Sequence, residues 1–135
     1  MNIVAQVFAG VAAALHVLVF AWEALLFRRP AVHWGVFRIR SEDVPAVLLW
    51  SFGQGFYNLF LAAGTVIGLI AVNTGQTEAG RALVYYTCGF MILSSLVLLV
   101  SDRMALGREK GAGLGGVAAQ ALPPIGALLA VAIAG

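Results

Sequence analysis

Charged side chains are scarce in this chain of 135 residues, of which 10% are Asp, Glu, Lys or Arg and 61% are hydrophobic. A soluble domain usually has about a quarter of its residues charged. A chain this short would also bury only part of so much apolar surface. These proportions exclude an ordinary soluble domain. They indicate a single integral membrane domain over residues 1–135, with lipid around most of its side chains.

Cysteine and histidine are scarce as well. Cys88 is the one cysteine, which excludes an intrachain disulfide. No second His or Cys lies at ligand spacing, so no metal site is expected. The eight basic residues form no face interleaved with aromatic side chains, so no nucleic-acid partner is expected. No cofactor is assigned, and a haem held by His16 stays an open alternative.

Four long apolar runs account for most of the chain. A helix needs about 20 apolar residues to cross the hydrocarbon core of a bilayer. The runs cover about 3–27, 44–72, 82–100 and 113–134. Because they are continuously apolar rather than alternating, they predict helices and not the strands of a barrel. We expect an all-α fold, a bundle of four transmembrane helices.

The basic residues are unevenly divided among the connections between these helices. Seven of the eight lie in the first and third connections: Arg28, Arg29, Arg38, Arg40, Arg103, Arg108 and Lys110. The second connection has only Arg81. Because cytoplasmic loops carry an excess of Lys and Arg, both termini are predicted to lie outside, with the chain in a bacterial inner membrane.

The first connection mixes aromatic, apolar and basic residues, among them Trp34, Phe37 and Arg38. That mixture is typical of a segment in the headgroup layer, where aromatic rings act as anchors and arginines face lipid phosphates. Two interpretations stay open at this point. The segment is an ordinary amphipathic linker, or it is a lid over a binding site.

Small residues form a stripe on the second predicted helix, where Gly64 and Gly68 are one turn apart. In lipid, such stripes let helix backbones approach closely. The stripe predicts packing either within the chain or between copies of it. A homo-oligomer through Gly64 and Gly68 is one expectation.

Polar side chains inside the apolar runs are the strongest functional signal. Ionisable groups are costly in a bilayer and face the protein interior or a wet cavity. The candidate site residues are His16, Glu23, Gln54, Tyr57, Asn58 and Gln120. They come from three helices, between the cytoplasmic interface and the midplane by a rise of about 1.5 Å per residue. Two interpretations compete: a binding or proton-handling site, with His16 and Glu23 on one face, and a hydrogen-bond network that fixes helix pairing.

Two prolines interrupt the last predicted helix. Pro123 and Pro124 donate no backbone hydrogen bond, so the carbonyls of Ala119 and Gln120 lose their usual partners. Such carbonyls need other donors near the middle of a membrane. Gln54, Tyr57 and Asn58 carry suitable donors.

Four segments resemble the domain-of-unknown-function 1304 family of small bacterial membrane proteins. They are Ala14 to His16 with Glu23 following, the pair Val36-Phe37, Gln54 to Gly64, and Gln120 to Pro124. Two positions depart from the family pattern: Gly53 stands where Asn is expected, and Leu59 where Gly is expected. The resemblance implies a four-helix membrane fold. It also marks His16, Glu23, Gln54, Tyr57 and Asn58 as the polar core, and it brings no assigned activity.

Three functions fit this pattern. The first is binding or transport of a small amphiphilic molecule through the polar site. The second is a membrane-embedded enzyme, of the isomerase or oxidoreductase type, that acts on a lipophilic substrate with His16 or Glu23 as the acid–base group. The third is a structural or assembly subunit whose polar residues only hold helices together. The sequence alone does not decide whether the chain is an enzyme.

Overall fold

The computed structural model describes all 135 residues and contains helices and no strands. Helix α1 covers Ile3–Phe20 and continues as a π-helical turn over Ala21–Leu25. The short helix α2 covers Pro30–His33, and a 3₁₀ turn covers Ser41–Asp43. The three remaining helices are α3, Val44–Asn73, α4, Thr77–Arg103, and α5, Leu114–Ala134. The predicted all-α fold class is confirmed.

Four of these segments are long and apolar enough to cross a membrane, namely Ile3–Leu25, Ser41–Asn73, Thr77–Arg103 and Leu114–Ala134. The chain is therefore a multi-pass membrane protein by the length and composition of its helices. Only 24 of its 135 residues are buried. Most large apolar side chains consequently face outward, as they do in a bundle surrounded by lipid.

Two observed helices differ from their predicted bounds. The sequence predicts that the first runs to about residue 27, but its α-helical part ends at Phe20 and its π-helical turn ends at Leu25. The sequence predicts the third over about 82–100, whereas α4 starts at Thr77 and ends at Arg103. Hydropathy marks the apolar part of a helix, and both ends of α4 extend past that part into polar sequence.

The four long helices form a ring in which α1 packs on α3 and α5, and α4 packs on the same two helices. The centre of the ring is filled by small and medium side chains from three helices, among them Ala9, Val84, Cys88 and Ala127. Small side chains permit close helix packing in lipid, where no hydrophobic force drives helices together. The core is accordingly narrow.

The stripe of small residues on α3 packs against α4. Gly68 is buried, and a Cβ built on it would lie 2.8 Å from Cγ2 of Val84 and 3.0 Å from the carbonyl oxygen of Gly80. One turn earlier, Oγ1 of Thr65 lies 2.9 Å from Oγ1 of Thr87 in a buried hydrogen bond. The stripe therefore serves packing within the chain. A homo-oligomer through it stays a prediction.

The first and third connections, residues 26–43 and 104–113, meet at the same end of the bundle. Nη1 of Arg108 lies 3.4 Å from the carbonyl oxygen of Phe37, which joins the two connections. The chain ends lie together at the opposite end, where the backbone N–H of Asn2 donates to the carbonyl of Gly135. Seven of the eight basic residues thus gather at one end of the structure, as counted from the sequence.

Candidate functional site

Glu23 and Asn58 form a side-chain contact between two transmembrane helices. Nδ2 of Asn58 donates to Oε1 of Glu23 at 2.6 Å, and the same Nδ2 also lies 3.1 Å from the backbone carbonyl of Gln54. Both side chains are half-buried. A hydrogen bond to a carboxylate is stronger than one between neutral groups. Asn58 therefore fixes one oxygen of Glu23, while Oε2 has no partner in the chain.

Glu23 lies in the π-helical turn that closes α1. In this turn the N–H of Leu26 donates to the carbonyl of Ala21, five residues earlier, at 2.9 Å. Such turns are rare and often occur at functional sites, because the extra residue redirects side chains from the regular helical face. The turn places Glu23 toward α3 instead of continuing the register of α1.

A glycine on α3 allows the π-helical turn to lie close to that helix. Gly55 is buried, and a Cβ built on it would lie 2.9 Å from the backbone nitrogen of Ala24 and 3.1 Å from the carbonyl oxygen of Phe20. No residue larger than glycine fits at that distance without a shift of the backbone. Asn58 follows Gly55 by about one turn on α3. The close approach of the two helices at Gly55 therefore also brings the Asn58 side chain within hydrogen-bond distance of Glu23.

A cavity of about 360 Å³ lies beside Glu23, between the end of α1 and the beginning of α3. We call it the Glu23 groove; its lining includes Glu23, Leu25, Phe27, Arg28, Leu49 and Phe52. Leu25, Leu49 and Phe52 are 64%, 77% and 54% exposed, so the groove opens on the lipid-facing side of the bundle. Its walls are mostly apolar and include one acid, Glu23, and one arginine, Arg28.

His16 is buried away from this groove. Its Nδ1 lies 2.8 Å from the carbonyl oxygen of Ala12, and because a carbonyl only accepts, Nδ1 carries the proton. Glu23 lies about 10 Å further along the helix axis by the rise per residue, and no hydrogen bond joins the two side chains. The predicted proton-handling pair is thus separated into two sites with different partners.

Three other candidates lie outside the contact between Glu23 and Asn58. Tyr57 is 70% exposed, Gln54 is also exposed, and the Gln120 side chain is half-buried without a hydrogen bond. No side chain of the protein donates to the carbonyl of Ala119 or Gln120, contrary to the expectation for Gln54, Tyr57 and Asn58. Helix α5 nevertheless continues through both prolines to Ala134.

The family model for "Protein of unknown function (DUF1304)" matches residues 10–132 of the chain. The chain belongs to the DUF1304 family. The match covers all four long helices in whole or in large part, and it includes Glu23, Gly55 and Asn58. No curated protein and no solved structure matched the chain in the same comparisons.

Two polar residues outside the sequence candidates have structural roles in this DUF1304 chain, His33 in the first connection and Asp102 at the end of α4. His33 is buried; its Nδ1 donates to the carbonyl of Phe27 at 2.9 Å, and its Nε2 lies 3.1 Å from Oγ of Ser41. The imidazole therefore ties together the two ends of the first connection. The buried position of His33 follows from tertiary folding, and an alternating apolar pattern around it was the one available signal.

Asp102, at the end of α4, organises the third connection in the same way. Its side chain is fully buried, and Oδ1 accepts the backbone N–H of Gly113 at 2.7 Å. Gly111 also donates its N–H to this carboxylate, and Arg103 pairs with it. An acid followed within about ten residues by a run of glycines is the sequence signal for this carboxylate-capped loop, and its specificity is low.

Proposed function

We propose that this chain binds a small amphiphilic molecule in the Glu23 groove. The observation that carries the proposal is one acidic side chain, fixed by Asn58, at the wall of a cavity that is otherwise mostly apolar and opens toward lipid. Ligand sites usually combine apolar walls with a small number of placed polar groups. A molecule with a polar head and an apolar tail would enter the groove sideways from the bilayer.

The free oxygen of Glu23 favours a ligand whose head donates hydrogen bonds. Oε1 is already bonded to Asn58, so Oε2 is the atom left for a ligand. A carboxylate accepts and does not donate when ionised, and it binds a cationic donor most strongly. An amine head on a short alkyl chain therefore fits the groove by its chemistry, with the tail against Leu49 and Phe52.

Binding is supported more directly than catalysis. The enzyme hypothesis needs a second polar group aimed at the substrate oxygen beside the acid–base group. Of the two residues suggested for that role, Tyr57 is 70% exposed and Asn58 already bonds Glu23. Transport of the bound molecule extends the same proposal and would use the same groove.

We also propose that the chain lies in a bacterial inner membrane with both termini outside. Seven of eight basic residues gather at the end of the bundle formed by the first and third connections. The positive-inside rule supports the cytoplasmic side for that end, with both termini outside. A bacterial inner membrane suits a four-helix chain of this kind, and the Glu23 groove would then lie in its cytoplasmic half.

Decylamine binding to the protein in lipid nanodiscs tests the proposal, with decanol as the uncharged analogue. We expect decylamine to bind the native chain and to bind Glu23→Gln about tenfold more weakly, because one charge-assisted hydrogen bond is lost. The matched control is Glu78→Gln, which removes an exposed acid in the first turn of α4. Comparison of the variants cancels the partition of decylamine into lipid.

The structural-subunit hypothesis predicts a different result. Glu23→Gln would then leave decylamine binding unchanged and would only lower the thermal stability of the protein. Equal binding of decylamine to the native chain and to Glu23→Gln would therefore reject the proposed function.

A further inference from the structure

A second cavity, of about 490 Å³, lies between the first and third connections at the basic end of the bundle. Its lining includes Trp34, Arg38, Arg40, Asp43, Arg108 and Glu109, and we call it the arginine pocket. It shares no lining residue with the Glu23 groove. The two cavities can therefore be tested separately.

The arginine pocket has an excess of positive charge. Three arginines and two acids are among its lining residues. Arg40 is already paired, since its Nε lies 3.2 Å from Oδ2 of Asp43 and 3.7 Å from Oε1 of Glu42. Arg38 and Arg108 form no ion pair in the structure, and Glu109 forms none either. Two guanidinium groups thus line a polar cavity without an acidic partner of their own.

Arg38 is held in an uncommon conformation. Its φ is +58°, in the left-handed region that side chains other than glycine rarely adopt. Its guanidinium carbon lies 5.3 Å from the centroid of the Trp34 ring. Stacking on the face of an aromatic ring leaves the N–H groups at the edge of the guanidinium free for a ligand. Strained backbone of this kind occurs often at ligand clamps.

Arg108, in the third connection, contacts both connections. Its Nη1 lies 3.4 Å from the Phe37 carbonyl, and a Cβ built on Gly113 would lie 2.8 Å from its Nη2. The buried Asp102 carboxylate accepts the N–H of Gly113 and so fixes this part of the loop. Both connections that line the pocket are thus held by buried hydrogen bonds, that of His33 in the first and that of Asp102 at the third.

We propose that the arginine pocket binds a phosphate group through Arg38 and Arg108. A guanidinium is always charged, and its planar N–H groups match the oxygens of a phosphate in pairs. Trp34 is half exposed at the rim of the pocket, a position typical of the aromatic side chains found at headgroup depth. The phosphate can belong to an anionic glycerophospholipid or to a free phosphate, and both sources share this chemistry.

Native mass spectrometry of the detergent-solubilised protein tests this proposal with three probes: phosphatidylglycerol, diacylglycerol, which lacks the phosphate, and inorganic phosphate. The native chain should retain phosphatidylglycerol at least about tenfold more tightly than diacylglycerol. The double variant Arg38→Gln, Arg108→Gln should lose this preference. The matched control Arg29→Gln, Lys110→Gln removes two exposed charges from the same end outside the pocket and should keep it.

Competition separates the two phosphate sources. If inorganic phosphate displaces phosphatidylglycerol, the pocket accepts a free phosphate; if it does not, the pocket recognises the headgroup of a lipid. Either result supports a phosphate site. Equal retention of both lipids by the native chain, or equal loss of preference in the two double variants, would overturn it.

A lysine double variant tests the same proposal in case the glutamine double variant does not fold. Arg38→Lys with Arg108→Lys keeps both charges but removes the paired N–H geometry. Its retention of phosphatidylglycerol should fall between that of the native chain and that of the glutamine variant. Retention equal to the native chain would show that only charge matters, which contradicts a guanidinium site.

Discussion

Nδ2 of Asn58 lies 2.6 Å from Oε1 of Glu23, and this hydrogen bond joins the middle of α3 to the end of α1. The two residues are 35 positions apart in the sequence. In lipid, where no water competes, an acid at this depth needs a partner inside the protein. Asn58 supplies it, and one oxygen of Glu23 stays free at the wall of the Glu23 groove.

Substitution of Asn58 by leucine should destabilise the bundle. Asn58→Leu removes the donor to Glu23, and we expect the free energy of unfolding to fall by about 1 kcal/mol, as for polar contacts in other membrane bundles. The control is Gln54→Leu, one turn earlier, whose exposed side chain forms no hydrogen bond. Unfolding in mixed micelles of increasing SDS content measures the free energy of unfolding of both variants. Equal losses in the two variants would contradict a specific role for Asn58.

A methyl group at Gly55 should separate α3 from the π-helical turn. The Cβ of Gly55→Ala would meet the backbone of Ala24 at 2.9 Å and of Phe20 at 3.1 Å, so the helices must move apart. We expect a loss of about 1–3 kcal/mol in the free energy of unfolding, the usual cost of overpacking. The same SDS titration measures it.

The matched control for that substitution is Gly53→Ala. No atom lies within 4 Å of a Cβ built there, and Gly53 is on the same helix. Because alanine is the better helix former, the control should be unchanged or more stable by up to about 1 kcal/mol. A similar loss in both variants would mean that helix propensity, and not the approach of Gly55 to α1, decides stability.

The fold could be predicted from the sequence because hydropathy alone identifies helices in lipid. Each of the four runs is long, continuous and bounded by charge or glycine, and Val44–Asn73 closely follows its predicted range of 44–72. The π-helical turn at Ala21–Leu25 could not be predicted. It depends on the fit between Gly55 and the backbone of Ala24, a contact between distant parts of the chain.

The candidate site could be predicted in part. The sequence predicts both Glu23 and Asn58 as polar residues in apolar helices, and the structure brings them together. It predicts Tyr57 with them, but at 100° per residue Tyr57 lies about 140° from the buried Ala62 around the axis of α3. Three residues spaced i, i+3 and i+4 share a broad face. Only the packed neighbour decides which of them faces inward.

Loss of the Asp102 carboxylate should loosen the third connection. In Asp102→Asn an amide would face the N–H groups of Gly111 and Gly113 and the charge of Arg103, so some of these bonds must break. We expect trypsin to cleave after Arg108 and Lys110 several-fold faster in the folded protein. The control is Glu78→Gln, which removes an exposed acid at the other end of α4, away from the cleaved bonds. Unchanged cleavage in Asp102→Asn would show that the glycines alone set the loop.

Single cysteines should reveal which end of the bundle faces the cytoplasm. Cys88 is fully buried, so it contributes little labelling of its own, and Cys88→Ser provides a background free of it. In that background Gln76→Cys places a thiol between α3 and α4, and Lys110→Cys places one in the third connection.

The positive-inside rule puts the end with seven basic residues in the cytoplasm. A membrane-impermeant maleimide added to intact cells should therefore label the first thiol and not the second. Permeabilised cells supply the control, since both thiols should then react. Labelling of Lys110→Cys in intact cells would reverse the orientation and place the Glu23 groove and the arginine pocket on the outer side.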